Sequence, residues 1–133
     1  MLIAAVAIGG SSAFLVAQRL TQRGEPGFIR ATEPPFATRV WSFSESGTTA
    51  TTYGATKPFN ETLMYYTDAL ASRGYLLRPS TDAVRVFDGA SGECVTLEEF
   101  KDSSLGPRAS ALLKIIKTYP FAFDLTWSDE CRS

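Results

Sequence analysis

Residues 121–127, Phe-Ala-Phe-Asp-Leu-Thr-Trp, set Phe121, Phe123, Leu125 and Trp127 against Ala122, Asp124 and Thr126 in strict alternation. Successive side chains of a strand point to opposite faces, so this pattern predicts a strand buried on one face. Pro120, just before it, stops a helix predicted over residues 107–117 (PRASALLKIIK), where Ala111, Leu112, Ile115 and Ile116 form an apolar stripe. Further back, residues 75–78 and 83–88 read as short strands around Pro79, and residues 94–96 as one more. Residues 97–101 read as a brief helical turn. The clearest helix is predicted over residues 61–73, capped by Asn60 and stopped by Gly74, with Phe59, Leu63, Tyr66 and Leu70 facing the core. Residues 39–43 (RVWSF) and 48–53 (TTATTY) flank Glu45-Ser46-Gly47 as two strands and a turn, although the Ser/Thr density over 42–56 equally fits an exposed loop. Together these elements predict a small α+β domain over residues 38–133, a short antiparallel sheet with two helices.

Ahead of that domain the chain changes character. Residues 1–18 (MLIAAVAIGGSSAFLVAQ) carry no charged side chain, and Arg19 and Arg23 follow at once. At 1.5 Å of rise per residue they would span roughly 27 Å, about the hydrocarbon thickness of a bilayer. A single N-terminal transmembrane helix over residues 1–23 is therefore expected, and a secretory signal is disfavoured because no positive residue precedes the apolar stretch. Ala5, Gly9, Ala13 and Ala17 recur every four residues, a ridge of small side chains that lets a second helix approach closely. They are the expected helix-docking residues. Residues 24–37, with three prolines and two glycines, are expected to form an extended linker along the membrane surface.

Composition excludes several chemistries. The 13 Lys and Arg against 14 Asp and Glu leave no basic excess for a phosphate backbone, so a nucleic-acid partner is not expected. Histidine is absent, which removes Ser-His-Asp and Cys-His catalysis and any His-held metal. No P-loop, no GxGxxG after a strand and no GxSxG occurs. Glu98-Glu99 and Asp129-Glu130 are adjacent carboxylates rather than a pair held across a cleft. Asn60-Glu61-Thr62 matches the glycosylation sequon, but capping explains Asn60 as well. Neither a cofactor nor an enzymatic activity is expected. Cys94 and Cys131 are a candidate disulfide if the domain sits on an oxidising side and two reduced thiols if it does not; their spacing excludes a CxxC redox site.

The sides conflict. Arg19, Arg23, Arg30 and Arg39 all follow the apolar stretch, which by the positive-inside rule places the domain in a cytoplasm, matrix or stroma. Against that stand Gly9-Gly10-Ser11-Ser12, Arg19-Leu20, Pro26, Phe28, Arg30 and Glu33-Pro34-Pro35-Phe36. This run of residues 8–36 resembles the MLRQ-type single-span accessory subunits of mitochondrial cytochrome c oxidase. Gly24-Glu25-Pro26 stands where that family has Asn-Pro, and the domain that follows has no counterpart in it. The resemblance implies a structural subunit of a respiratory complex in the mitochondrial inner membrane, its C-terminal part in the intermembrane space. The expected function is thus a non-catalytic accessory subunit whose partners are lipid and the other subunits of a membrane complex. The alternative is a binding or assembly module anchored in a bacterial inner membrane, with an oxidised Cys94–Cys131 pair and a groove lined by Tyr53, Tyr65 and Tyr75.

Overall fold

The computed structural model describes residues 25–80, 82–101 and 110–131. In chain order the elements are α1 (Gly27–Ala31), β1 (Ala37–Glu45), β2 (Thr48–Ala55), α2 (Phe59–Ala71), β3 (Leu76–Leu77), β4 (Arg85–Asp88), β5 (Cys94–Glu99), α3 (Ser110–Ile116) and β6 (Phe121–Ser128). The six strands form one sheet in the order β1-β2-β6-β5-β4-β3, and every neighbouring pair is antiparallel.

This corrects the expected fold class. A six-stranded antiparallel sheet dominates, its helices are short, and among the described residues no helix is long and apolar enough to cross a membrane. The transmembrane helix expected over residues 1–23 lies outside the described residues. The sheet exceeds expectation because pairing extends strands past their local signals. Residues 97–99, expected as a helical turn, continue β5, where Leu97 lies opposite Leu125 and Val95 opposite Trp127. Period-two burial on a central partner outweighs a weak local helix preference.

One face of the sheet carries the core. Phe123, Leu125 and Trp127 of β6, flanked by Tyr53 of β2 and Val95 and Leu97 of β5, meet Tyr66 and Leu70 of α2. The indole N–H of Trp127 donates to the Tyr75 hydroxyl at 3.3 Å, and that hydroxyl donates to Glu93 at 3.4 Å, so the polar ends of two buried rings are satisfied. Helix α2 begins one residue before Asn60, with Pro58 at its N-cap and no side-chain capping bond. Its stop is the expected one: Gly74 has φ +83°, and the Tyr75 and Gly74 amides donate to the carbonyls of Leu70 and Ala71 in a Schellman arrangement.

The expected linker is folded onto this core. Ile29 of α1 is buried, Phe28 packs on Tyr75 with ring centroids 5.6 Å apart, and Phe36 meets Tyr65 edge-on. Glu33 fixes the path, since its carboxylate accepts from Arg39 Nε at 2.9 Å, Arg39 Nη2 at 2.6 Å and the Tyr53 hydroxyl at 2.7 Å. An apolar residue every few positions, rather than the prolines, decides the fate of this stretch.

Candidate interaction surface

The opposite face of the sheet is polar. The Ser/Thr-rich stretch that also fitted a loop forms strands, and its hydroxyls act as cross-strand rungs between residues directly opposite each other. On this face Thr48 pairs with Ser128 at 3.4 Å and Thr52 donates to Asp124 at 2.6 Å, while the rungs Ser42–Thr51 at 3.1 Å and Ser44–Thr49 at 3.0 Å lie on the face that carries Leu125 and Trp127. Burial holds the Asp124 carboxyl above its ordinary pKa; nearby Glu98 adds to this, and the Thr52 bond opposes it. The turn after α3 covers one end of this face, where the Tyr119 ring lies directly over Gly54. Ile116 is buried there, whereas Ile115 of the predicted stripe is exposed.

The two edges of the sheet differ. Strand β3 is two residues long, is followed by Pro79, and is guarded by an ion pair in which Arg78 Nε and Nη2 donate to Asp88 at 3.0 and 2.8 Å. Short, charged, proline-flanked edges resist pairing with another strand. Strand β1 is nine residues long and contains neither proline nor lysine. A bulge between Arg39 and Trp41 breaks its register at one end, beyond which residues 41–45 pair regularly with β2. Among the described residues its backbone pairs with a strand on one side only, and by antiparallel geometry alternate N–H and C=O groups point outward.

That edge displays the aromatic pair Trp41 and Phe43. Being two residues apart, they share the polar face, and their rings stack with centroids 5.9 Å apart and planes 5° from parallel. They are 46 % and 49 % exposed, in contrast to the rings of β6, which are nearly all hidden. A shallow groove of about 340 Å³ beside them is lined by Phe43, Glu45, Ser46, Thr48 and Ala50. The hairpin that presents them turns through Ser46 and Gly47, both with positive φ (45° and 80°), a two-residue turn whose twist matches the strands it joins.

The residues singled out in the sequence fall elsewhere. Ala5, Gly9, Ala13 and Ala17 lie outside the described residues. Cys94 and Cys131 are joined as a disulfide with Cα atoms 5.5 Å apart, tying the tail after β6 to the start of β5. Tyr53, Tyr65 and Tyr75 do not line a groove: Tyr53 and Tyr75 belong to the core and Tyr65 packs against it. Burial raises the Tyr53 and Tyr66 hydroxyls well above the usual tyrosine range, so both keep their protons at physiological pH. Among the described residues no group of three His, Cys, Asp or Glu side chains is placed to hold a metal ion.

No family model, curated protein or solved structure matches the chain. The chemistry of its own surface is therefore the ground for a functional reading. The signal for the β1 edge was present in the sequence, since Trp41 and Phe43 share one face of a short strand, but nothing local showed that this strand would end up at an edge.

Proposed function

We infer that the chain is a non-catalytic interaction domain, an accessory component of a larger protein assembly that it joins through the β1 edge. The observation that carries this reading is the stacked, half-exposed Trp41–Phe43 pair on a long strand that, among the described residues, has no second strand beside it. Aromatic side chains at an open edge supply both main-chain pairing and apolar contact to a partner, the two ingredients of strand addition. The disulfide supports an oxidising compartment, such as an intermembrane space or a periplasm, against the side that the arginine distribution alone suggests. Both membrane systems considered from the sequence offer such a compartment, and the apolar residues 1–18 provide the reason to place the chain at one of them.

The test is native gel electrophoresis of gently solubilised membranes from cells making the full chain, wild type against Trp41→Lys/Phe43→Lys. Wild type is expected in a band well above the mass of the free chain and the double variant as free chain, with an unchanged circular dichroism spectrum. A double variant that stays in the large band overturns the reading.

A further inference from the structure

We propose that Asn60 carries an N-linked glycan, transferred to the unfolded chain from a polyprenyl-pyrophosphate oligosaccharide. Asn60-Glu61-Thr62 has the acceptor pattern, and helix capping is the competing reason for its asparagine. The structure removes that reason: Pro58 occupies the N-cap, no side-chain capping bond is made, and Asn60 is exposed in the first turn of α2. Thr62 is the second anomaly. It is 0 % exposed, and its Oγ1 has no hydrogen-bond partner among the described residues. A buried hydroxyl without a partner costs free energy that a valine of nearly the same shape would not, so the fold gains nothing from the hydroxyl. The acceptor pattern does need it, since a hydroxyl two residues after the asparagine is what completes the pattern.

The two side chains work together only before folding. Residues two apart on a helix lie about 200° apart around its axis, so α2 turns Asn60 to solvent and Thr62 into the core. In an extended chain both are open to a membrane-bound oligosaccharide transferase. The Thr62 hydroxyl bonds to the enzyme while the Asn60 amide nitrogen forms a bond to C1 of the first sugar. The bond from C1 to the pyrophosphate breaks, the polyprenyl pyrophosphate leaves, and the amide gives up one proton to a base of the enzyme. Folding then buries Thr62 and leaves the glycan outside. Asn60 shares a shallow cleft of about 310 Å³ with Arg85 of β4 and Glu98 and Glu99 of β5, so the glycan grows from the half of the sheet away from β1. Lipid-linked oligosaccharides face a secretory lumen or a periplasm and not an intermembrane space. A glycan at Asn60 therefore chooses among the oxidising compartments that the Cys94–Cys131 disulfide leaves open.

Peptide mass spectrometry tests the proposal. The full chain is purified in mild detergent from its own membranes and digested with trypsin, which releases residues 40–73 as one peptide because Pro58 follows Lys57. This peptide is expected to carry a sugar mass that fragmentation locates on Asn60. The variants Asn60→Gln, Thr62→Val and Thr62→Ser are made in the same cells and treated alike. The first two are expected to lose the sugar completely, and Thr62→Ser, which keeps the hydroxyl, to retain it. Thr62→Val should also keep its circular dichroism spectrum and unfold at no lower denaturant concentration than Asn60→Gln, because no hydrogen bond goes with its hydroxyl. A peptide found only at its bare mass in the native chain overturns the proposal, and so does a sugar that survives Thr62→Val.

Discussion

Strands β6 and β1 are written in similar letters and meet opposite fates. β6 places Phe123, Leu125 and Trp127 at alternate positions, and β1 places Trp41 and Phe43 two apart in the same way. In β6 all three are essentially hidden, because the strand lies between β2 and β5 with α2 over it; in β1 both rings stay half exposed on a strand with one neighbouring strand among the described residues. Alternation reports that a strand has an apolar face. Position in the sheet decides whether that face becomes core or contact surface, and position is fixed by pairings between residues 72 to 80 apart in sequence.

The contrast predicts a graded set of losses. Trp127→Ala removes a ring that is 1 % exposed together with its bond to Tyr75, and is expected to cost about 4 kcal/mol in denaturant unfolding of the purified chain. Cys94→Ser/Cys131→Ser opens a link that spans 37 residues and holds the tail of β6 to β5, with an expected loss of about 3 kcal/mol by the same measurement. Gly54→Ala drives a methyl group into the Tyr119 ring, since no side chain fits beneath it. A loss of about 2 kcal/mol is expected, and Gly54→Ala/Tyr119→Ala should lose less than the two single changes added together. At the other end of the scale, Trp41→Ala should change stability by about 0.5 kcal/mol or less while weakening association, because its ring lies half in water.

Asp124 adds a pH dependence. Its folded pKa lies above the unfolded value because of burial, so the folded state holds the proton more tightly. The stability this contributes is full below the unfolded carboxylate range and is lost as pH rises through the folded pKa. Asp124→Asn keeps an acceptor for the Thr52 hydroxyl and removes the ionisation. Its unfolding free energy, measured against pH, is expected to fall less than that of wild type between acid and neutral solution.

Much of the fold was legible locally. Helix α2 with its Gly74 stop, the Ser46-Gly47 hairpin and the buried alternation of β6 each follow from short-range chemistry. What stayed hidden depended on partners. Residues 97–99 became strand because β6 lay beside them, and residues 27–36 folded onto the core because Ile29, Phe28 and Phe36 found Tyr75, Tyr65 and their neighbours. Thr62, which no apolar pattern would select, is fully buried on α2 one turn before Tyr66. The candidate surface was harder still. Trp41 and Phe43 looked like ordinary strand residues until the sheet order placed them at its rim, and Tyr53, Tyr65 and Tyr75 looked like surface aromatics until the core claimed them.

Amide hydrogen exchange on the full chain in mild detergent, compared between dilute protein and its native assembly, tests most directly that β1 is an open edge made for a partner. Dilute protein is expected to protect the amides of β6 to the global limit while alternate amides of residues 41–45 exchange rapidly, and these should become protected in the assembly. If the amides of residues 41–45 are as protected as those of β6 in dilute protein, the edge is already covered and the account is contradicted.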